Sequence, residues 1–158
     1  MAQKITTMLW FNGQAEEAAN FYCSVFKNSK MGAVMRRPPN VPGPGNALTA
    51  SFTIDGREFT GLNGGPNFTF NESVSFVIHC KDQAEVDYYW DKFLSAGGKP
   101  SACGWLKDQF GVSWQVTPQK LLDLNVSGEP KKVQAMMGAM MKMVKLDMPA
   151  LQKAYDEG

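Results

Sequence analysis

Apolar residues along this chain switch between two periods, and the switches occur in the same order twice. Residues 4–11 (KITTMLWF) read as a strand. From Gln14 to Phe26, Ala18, Phe21, Tyr22 and Val25 recur at intervals of three and four, the single stripe of an amphipathic helix. Asn12 is the expected N-cap, and residues 15–17 (AEE) bring acid into the first turn, where the helix dipole favours it. Strand-like text over 29–37 leads into PPNVPGPGN (38–46), a loop that reads as a lid over a cleft or as a linker between paired strands. Residues 47–54 (ALTASFTI) and 57–63 (REFTGLN) flank Asp55-Gly56, a two-residue hairpin signal. Counting out from that turn pairs Ile54 with Arg57, Thr53 with Glu58, and Phe52 with Phe59, which stacks two aromatic rings on one face.

The order then restarts. Residues 74–80 (VSFVIHC) read as a strand. Residues 83–96 read as a helix with Val86, Tyr89, Trp90, Phe93 and Leu94 on one side, closed by Gly97-Gly98 as a C-cap. Residues 99–107 and 112–117 are the next two expected strands. A shift of 69 places Gln14-Ala15-Glu16 on Gln83-Ala84-Glu85, Phe21 on Trp90, Val25 on Leu94 and Lys30 on Lys99. Identity inside a matching order of elements implies duplication. The expected fold is α+β: one domain over 1–158, with module one at about 1–70, module two at about 71–118 and a helical tail at about 119–158. In the tail, Val133, Met136, Met137, Met140, Met141 and Val144 form an apolar stripe, with Lys131, Lys132, Lys142 and Lys145 on the solvated side. Such a helix is expected to cover the sheet or a second subunit. A calmodulin-like partner groove is the alternative.

Three segments carry a family resemblance: MLWFNGQAEEAANFYCSVF, SVSFVIHCKDQAEVDYYWDKF and CGWLKDQFGVSWQVTP. They resemble the PhnB-like group of the vicinal oxygen chelate superfamily, which includes glyoxalase I, bleomycin-resistance proteins and extradiol dioxygenases. The group is often labelled 3-demethylubiquinone-9 3-methyltransferase. The resemblance covers about residues 4–118, and MMKMVKLDMPALQKAY is similar to the group's C-terminal tail. It implies paired βαβββ modules on a curved sheet around a cleft, with copies assembled as a homodimer.

Metal-dependent members of that superfamily set a His or Gln on the first strand of a module and a Glu on its last. Carried over by position, these slots fall on Thr6 and near Phe59 in module one, and on Ser75 and Gln115 in module two. A catalytic transition-metal site wants at least three strong His or carboxylate ligands, so no metal is expected. The methyltransferase label finds no residue support either. Gly43-Pro44-Gly45 lacks a third glycine and precedes a strand, and GLNGGP ends in proline, so neither makes a nucleotide-binding turn. No cofactor is expected.

Alternation on the strand at 74–80 turns Ser75, Val77 and His79 toward the cleft, and Phe76, Ile78 and Cys80 toward the helix. His79, the one histidine, reads as a general base or ligand hydrogen-bonder, or else as a sheet-end residue satisfied by backbone or water. Trp10 is expected to line the cleft, whereas Trp114 lies opposite Gln115 and reads as core. Lys107 and Asp108 occupy a turn that either touches ligand or is simply solvated. The ligand-cleft candidates are therefore Thr6, Trp10, Phe59, Ser75, His79 and Gln115.

Charge narrows the partners. Sixteen basic and fifteen acidic side chains leave a net charge of +1 without any long tract of one sign, which argues against nucleic acid and anionic membranes. No run approaches the roughly 18 apolar residues of a membrane span, and the first twenty residues do not read as a signal peptide. Cys23, Cys80 and Cys103 fit no metal-knuckle spacing and read as free thiols of a cytoplasmic protein. The expected function is metal-independent binding of a small apolar or aromatic compound in the sheet cleft. The alternatives are an enzyme of the glyoxalase or dioxygenase type, metal-assisted or based on His79, and a methyltransferase as the label suggests. A dimer whose cleft is filled by its own tail is the remaining possibility.

Overall fold

A computed structural model of the chain describes residues 3–158. The chain divides into two compact units, the first ending at Phe70 and the second spanning Asn71–Gly158.

The first unit contains β1 (Thr7–Phe11), α1 (Ala15–Val25), β2 (Ser29–Arg36), β3 (Ala47–Ile54) and β4 (Arg57–Asn63). Its sheet runs β1-β4-β3-β2, with β1 parallel to β4 and the other pairs antiparallel. Helix α1 lies on one face and buries Ala15, Ala18, Ala19, Tyr22 and Val25 against Leu9, Phe11, Ala50, Phe52 and Phe59. Gly61 is needed there, because a Cβ on it would lie 3.0 Å from the Cβ of Ala15. The hairpin at Asp55-Gly56 forms with the register that the turn dictates: Ile54 with Arg57, Thr53 with Glu58, Phe52 with Phe59. Asp55 and Gly56 both adopt positive φ, 48° and 75°, as a type I′ turn requires. The two phenylalanine rings stack at 5.3 Å.

One local expectation is corrected in this unit. Asn12 does not cap α1. The N-cap is Gln14, without a side-chain cap bond, and the amides of Gly13 and Ala15 are instead accepted by Oδ1 of Asn63, at 3.0 and 2.9 Å, from the end of β4. A residue 48 positions away thus satisfies donors that a local cap normally takes. The loop at 38–46 is tied down by the Arg37 guanidinium, which donates to the carbonyls of Pro42, Pro44, Gly45 and Asn63.

The second unit repeats the pattern with β5 (Ser75–Cys80), α2 (Gln83–Ser95), β6 (Lys99–Pro100), β7 (Trp105–Lys107) and β8 (Ser113–Pro118). Its sheet order, β5-β8-β7-β6, matches that of the first unit strand for strand, including the parallel pairing of first and last strands. The expected strand over 99–107 is broken by a turn. Cys103 and Gly104 take positive φ of 58° and 81°, and the break separates β6 from β7. Asp82 caps α2 through the amide of Glu85 at 2.9 Å. At its other end Gly97 and Gly98 bond back to Leu94 and Phe93, closing a Schellman motif.

The tail is three helices, α3 (Gln119–Ser127), α4 (Pro130–Met140) and α5 (Met148–Glu157). The stripe expected over 133–144 is therefore cut short. Met136 is buried with Leu121, Leu146, Met148 and Leu151 in a separate small core, while Met141 and Val144 are exposed beyond the end of α4. The chain leaves the helix because residues 143–148 pair with module two. Met143 and Val144 accept from the amides of Cys103 and Gly104, and Gln83 bridges the Leu146 carbonyl and the Met148 amide. The tail docks beside the start of α2 and leaves Val77 and His79 of β5 exposed. Among the described residues, no helix is long and apolar enough to cross a membrane.

Candidate functional site

Because a strand alternates its side chains, each residue that one sheet gives to its helix frees a neighbour for the opposite, open face. In the first unit, the open face carries Ser51 and Thr53 on β3 and Glu58 and Thr60 on β4. Ser51 is paired with Thr60, and Thr53 with Glu58. The Ser51 and Thr60 hydroxyl oxygens are 3.5 Å apart. Lys30 adjoins Thr53 from β2, and Gly32 lets that strand approach, since a Cβ there would lie 3.1 Å from the Ser51 carbonyl oxygen. These residues, with Thr6 and Met31, line a depression of about 350 Å³. Among the described residues, neither Glu58 nor Lys30 forms an ion pair. Four of the ten residues lining the depression carry hydroxyls, and Met31, Phe52 and Phe59 supply apolar surface beside them.

Thr6 borders this depression. Phe59 borders it as well, but its ring stacks on Phe52, which packs in turn against Tyr22 of α1. Phe59 is only 4% exposed. The polar groups at this end of β4 are those of its neighbours, Glu58 and Thr60. Trp10 braces the segment after β4. Its Nε1 donates to the Gly65 carbonyl at 2.9 Å, and its ring meets Phe68 edge-on at 4.9 Å. Lys30, Ser51, Thr53 and Thr60 were not singled out from sequence. The signal was present, because the hairpin register that stacks Phe52 on Phe59 must also turn Ser51, Thr53, Glu58 and Thr60 to the other side.

In the second unit, Ser75, Val77 and His79 share the open face with Gln115 and Trp105. Nε2 of Gln115 donates to Oγ of Ser75 at 3.0 Å, so two of the residues singled out by position meet directly. His79 Nδ1 lies 2.8 Å from Oε1 of Gln119, and Gln119 Nε2 donates to Oδ1 of Asp123 at 2.8 Å. Lys107 pairs with Glu72, whose carboxyl this lysine's hydrogen bond holds below its ordinary range. On the helix side, Trp114 packs against Phe76 and Phe93. Asp108 neither touches the open face nor is solvated. It is buried and accepts from the amides of Phe110 and Val112 and from the Trp114 indole.

The thiols are unsuited to nucleophilic work at neutral pH where the structure bears on them. Burial pushes Cys80 up to about 12, helped by the Glu85 carboxylate, and burial also raises Cys23. Among the described residues, no group of three His, Cys, Asp or Glu side chains is placed to hold a metal ion. The donors at the superfamily's ligand positions do not fit one either. Thr6, Ser75 and Gln115 are neutral donors, with no imidazole or carboxylate among them.

Residues 3–117 match the family described as 3-demethylubiquinone-9 3-methyltransferase. The chain is similar to a PhnB protein from Bacillus cereus described in the same methyltransferase terms. Identity is 37%, the match covers 72% of this chain and 97% of that one, and the TM-score is 0.66. It also resembles protein PA1353 from Pseudomonas aeruginosa, at 19% identity, 72% and 95% coverage and a TM-score of 0.55. Fosfomycin resistance protein FosX from Listeria monocytogenes, complexed with Mn(II) and sulfate, matches at 14% identity, 72% and 89% coverage and a TM-score of 0.51. The last two likenesses concern the fold alone. The comparison with curated proteins returns no match. With the repeated βαβββ modules and the match over residues 3–117 together, the chain belongs to the PhnB-like, 3-demethylubiquinone-9 3-methyltransferase family of the vicinal oxygen chelate superfamily.

Proposed function

We propose that this protein binds a small molecule on the open sheet face of its first module, without a resident metal ion. The observation that carries the reading is the depression of about 350 Å³ whose lining includes Ser51, Thr53, Thr60, Glu58 and Lys30. That volume suits a small ligand, and ligand sites of this kind fix orientation with a few placed polar groups. Sequence reasoning points to an apolar or aromatic compound. The mixed lining favours one that combines hydrogen-bonding groups, met by Ser51, Thr53 and Thr60, with apolar surface, met by Met31, Phe52 and Phe59. One carboxylate and one ammonium at the rim suit a neutral or zwitterionic compound better than a multiply charged one. A homodimer in the cytoplasm belongs to this reading and is checked by sedimentation of the purified protein.

Methyl transfer has the family description as its support and no residue beside it. Gly43 and Gly45 lie in a loop wrapped on the Arg37 guanidinium and are followed by β3, so their amides do not open a helix N-terminus toward a nucleotide. A calorimetric screen of small hydroxylated, amino-acid-like and aromatic compounds, with S-adenosylmethionine included, tests both readings. A compound that binds the wild type and loses at least about tenfold in affinity in Thr60→Val and Glu58→Gln, which is about 1.4 kcal/mol, supports the site. Undiminished binding in both variants removes it.

A further inference from the structure

We infer that His79, Gln119 and Asp123 form a hydrogen-bonded relay that holds His79 as its Nδ1–H tautomer and leaves Nε2 as a proton acceptor on the open face of the second sheet. An ionised carboxylate only accepts, so the end of the Gln119 side chain that lies 2.8 Å from Asp123 Oδ1 must be its NH2. The other end is then the carbonyl oxygen, and it lies 2.8 Å from His79 Nδ1. A carbonyl cannot donate, so Nδ1 carries the proton. A neutral imidazole has one proton to place, which leaves Nε2 with a free lone pair.

This arrangement is built by the fold. His79 sits near the end of β5 and pairs with Thr117 of β8, and the chain runs from β8 directly into α3. Gln119 and Asp123 are one helical turn apart on α3, so a single helix supplies both the amide and the acid that orients it. Among the described residues, no hydrogen bond is formed at Nε2, and His79 is exposed. Gln119 and Asp123 are positioning residues, and Nε2 is the atom that would meet a ligand. Its partner is an N–H or O–H group of a bound molecule, the donors a bare imidazole nitrogen accepts from. The relay stands on contacts in the second unit and does not rest on the depression in the first.

Because the chain has one histidine, the test is spectroscopic and unambiguous to assign. In protein labelled with 15N at histidine, two-bond proton–nitrogen correlation spectra above the imidazole titration distinguish the tautomers without any ligand. The expected wild-type result is a protonated Nδ1 and an unprotonated Nε2, opposite to the preference of free histidine in water. Gln119→Leu should return the ring to the Nε2–H form or a mixture. Gln119→Glu, which still accepts at Nδ1, should preserve the wild-type pattern, and Asp123→Asn should weaken it. A wild-type ring in the Nε2–H form, or a pattern unmoved by Gln119→Leu, overturns the relay. Failure to find a ligand for the first module changes none of these outcomes.

Discussion

Gln115 and Ser75, 40 positions apart, are joined by one side-chain hydrogen bond across the parallel β5–β8 pair. The family resemblance places two of the metal-ligand slots at these positions. Here a neutral amide and a neutral hydroxyl occupy them, and the Gln115 NH2 donates to the hydroxyl. Ser75→Ala should cost about 1 kcal/mol, since it removes a half-buried partner. Protein purified without chelator should carry substoichiometric metal by elemental analysis, and EDTA should leave its melting temperature unchanged. A large ion-dependent rise would count against a metal-free site.

Asp108 is a buried acid, 4% exposed. Its removal in Asp108→Ala strips the acceptor from two buried donors and one half-buried donor. Each buried unsatisfied group costs about 1–3 kcal/mol, so the total loss should be about 3 kcal/mol or more in urea unfolding. Asp108→Asn, which retains one acceptor oxygen, should fall between that variant and the wild type.

Asn63 and Asn12 offer a paired comparison. Asn63 holds the amides of Gly13 and Ala15 and donates to the Ala47 carbonyl at 2.8 Å. Asn63→Ala should destabilise by about 2–3 kcal/mol, as a lost cap combined with a newly orphaned carbonyl. Asn12→Ala should stay within about 0.5 kcal/mol, the range for a surface change that breaks nothing. Equal effects in denaturant titrations would contradict the placement of the cap.

The tail's core takes in some of its apolar side chains and leaves others in solvent. Leu151 is fully buried beside Met136 and Leu121, so Leu151→Ala should cost about 2–5 kcal/mol. Met141 is 67% exposed, and Met141→Ala should be close to neutral. Met136→Ala should be costly, as Leu151→Ala is, whereas a single continuous stripe would make it comparable with Met141→Ala.

Cys80 sets a pH signature. Its folded pKa, about 12, lies above the thiol's ordinary 9.0, so the folded state keeps a proton that the unfolded chain releases. The stability tied to that proton is complete below pH 9.0 and is lost as pH rises toward about 12. Cys80→Ala should flatten this alkaline limb. In the native protein, Cys80 should also be the last thiol to react with an aromatic disulfide, becoming accessible on unfolding.

Local periodicity determined the element order, the hairpin register from Asp55-Gly56 and the duplication at an offset of 69. All three follow from spacing along the chain: the turn sets the register, and a helix or strand repeats on its own period. The break between β6 and β7 escaped the pattern, because it depends on positive φ at Cys103 and Gly104 and on carbonyls supplied by residues 143–144. The cap on α1, the burial of Asp108 and the meeting of His79 with Gln119 were decided by tertiary structure alone. Each satisfies a polar group with a partner set by how elements pack, and periodicity carries no record of which distant acceptor a buried donor will find.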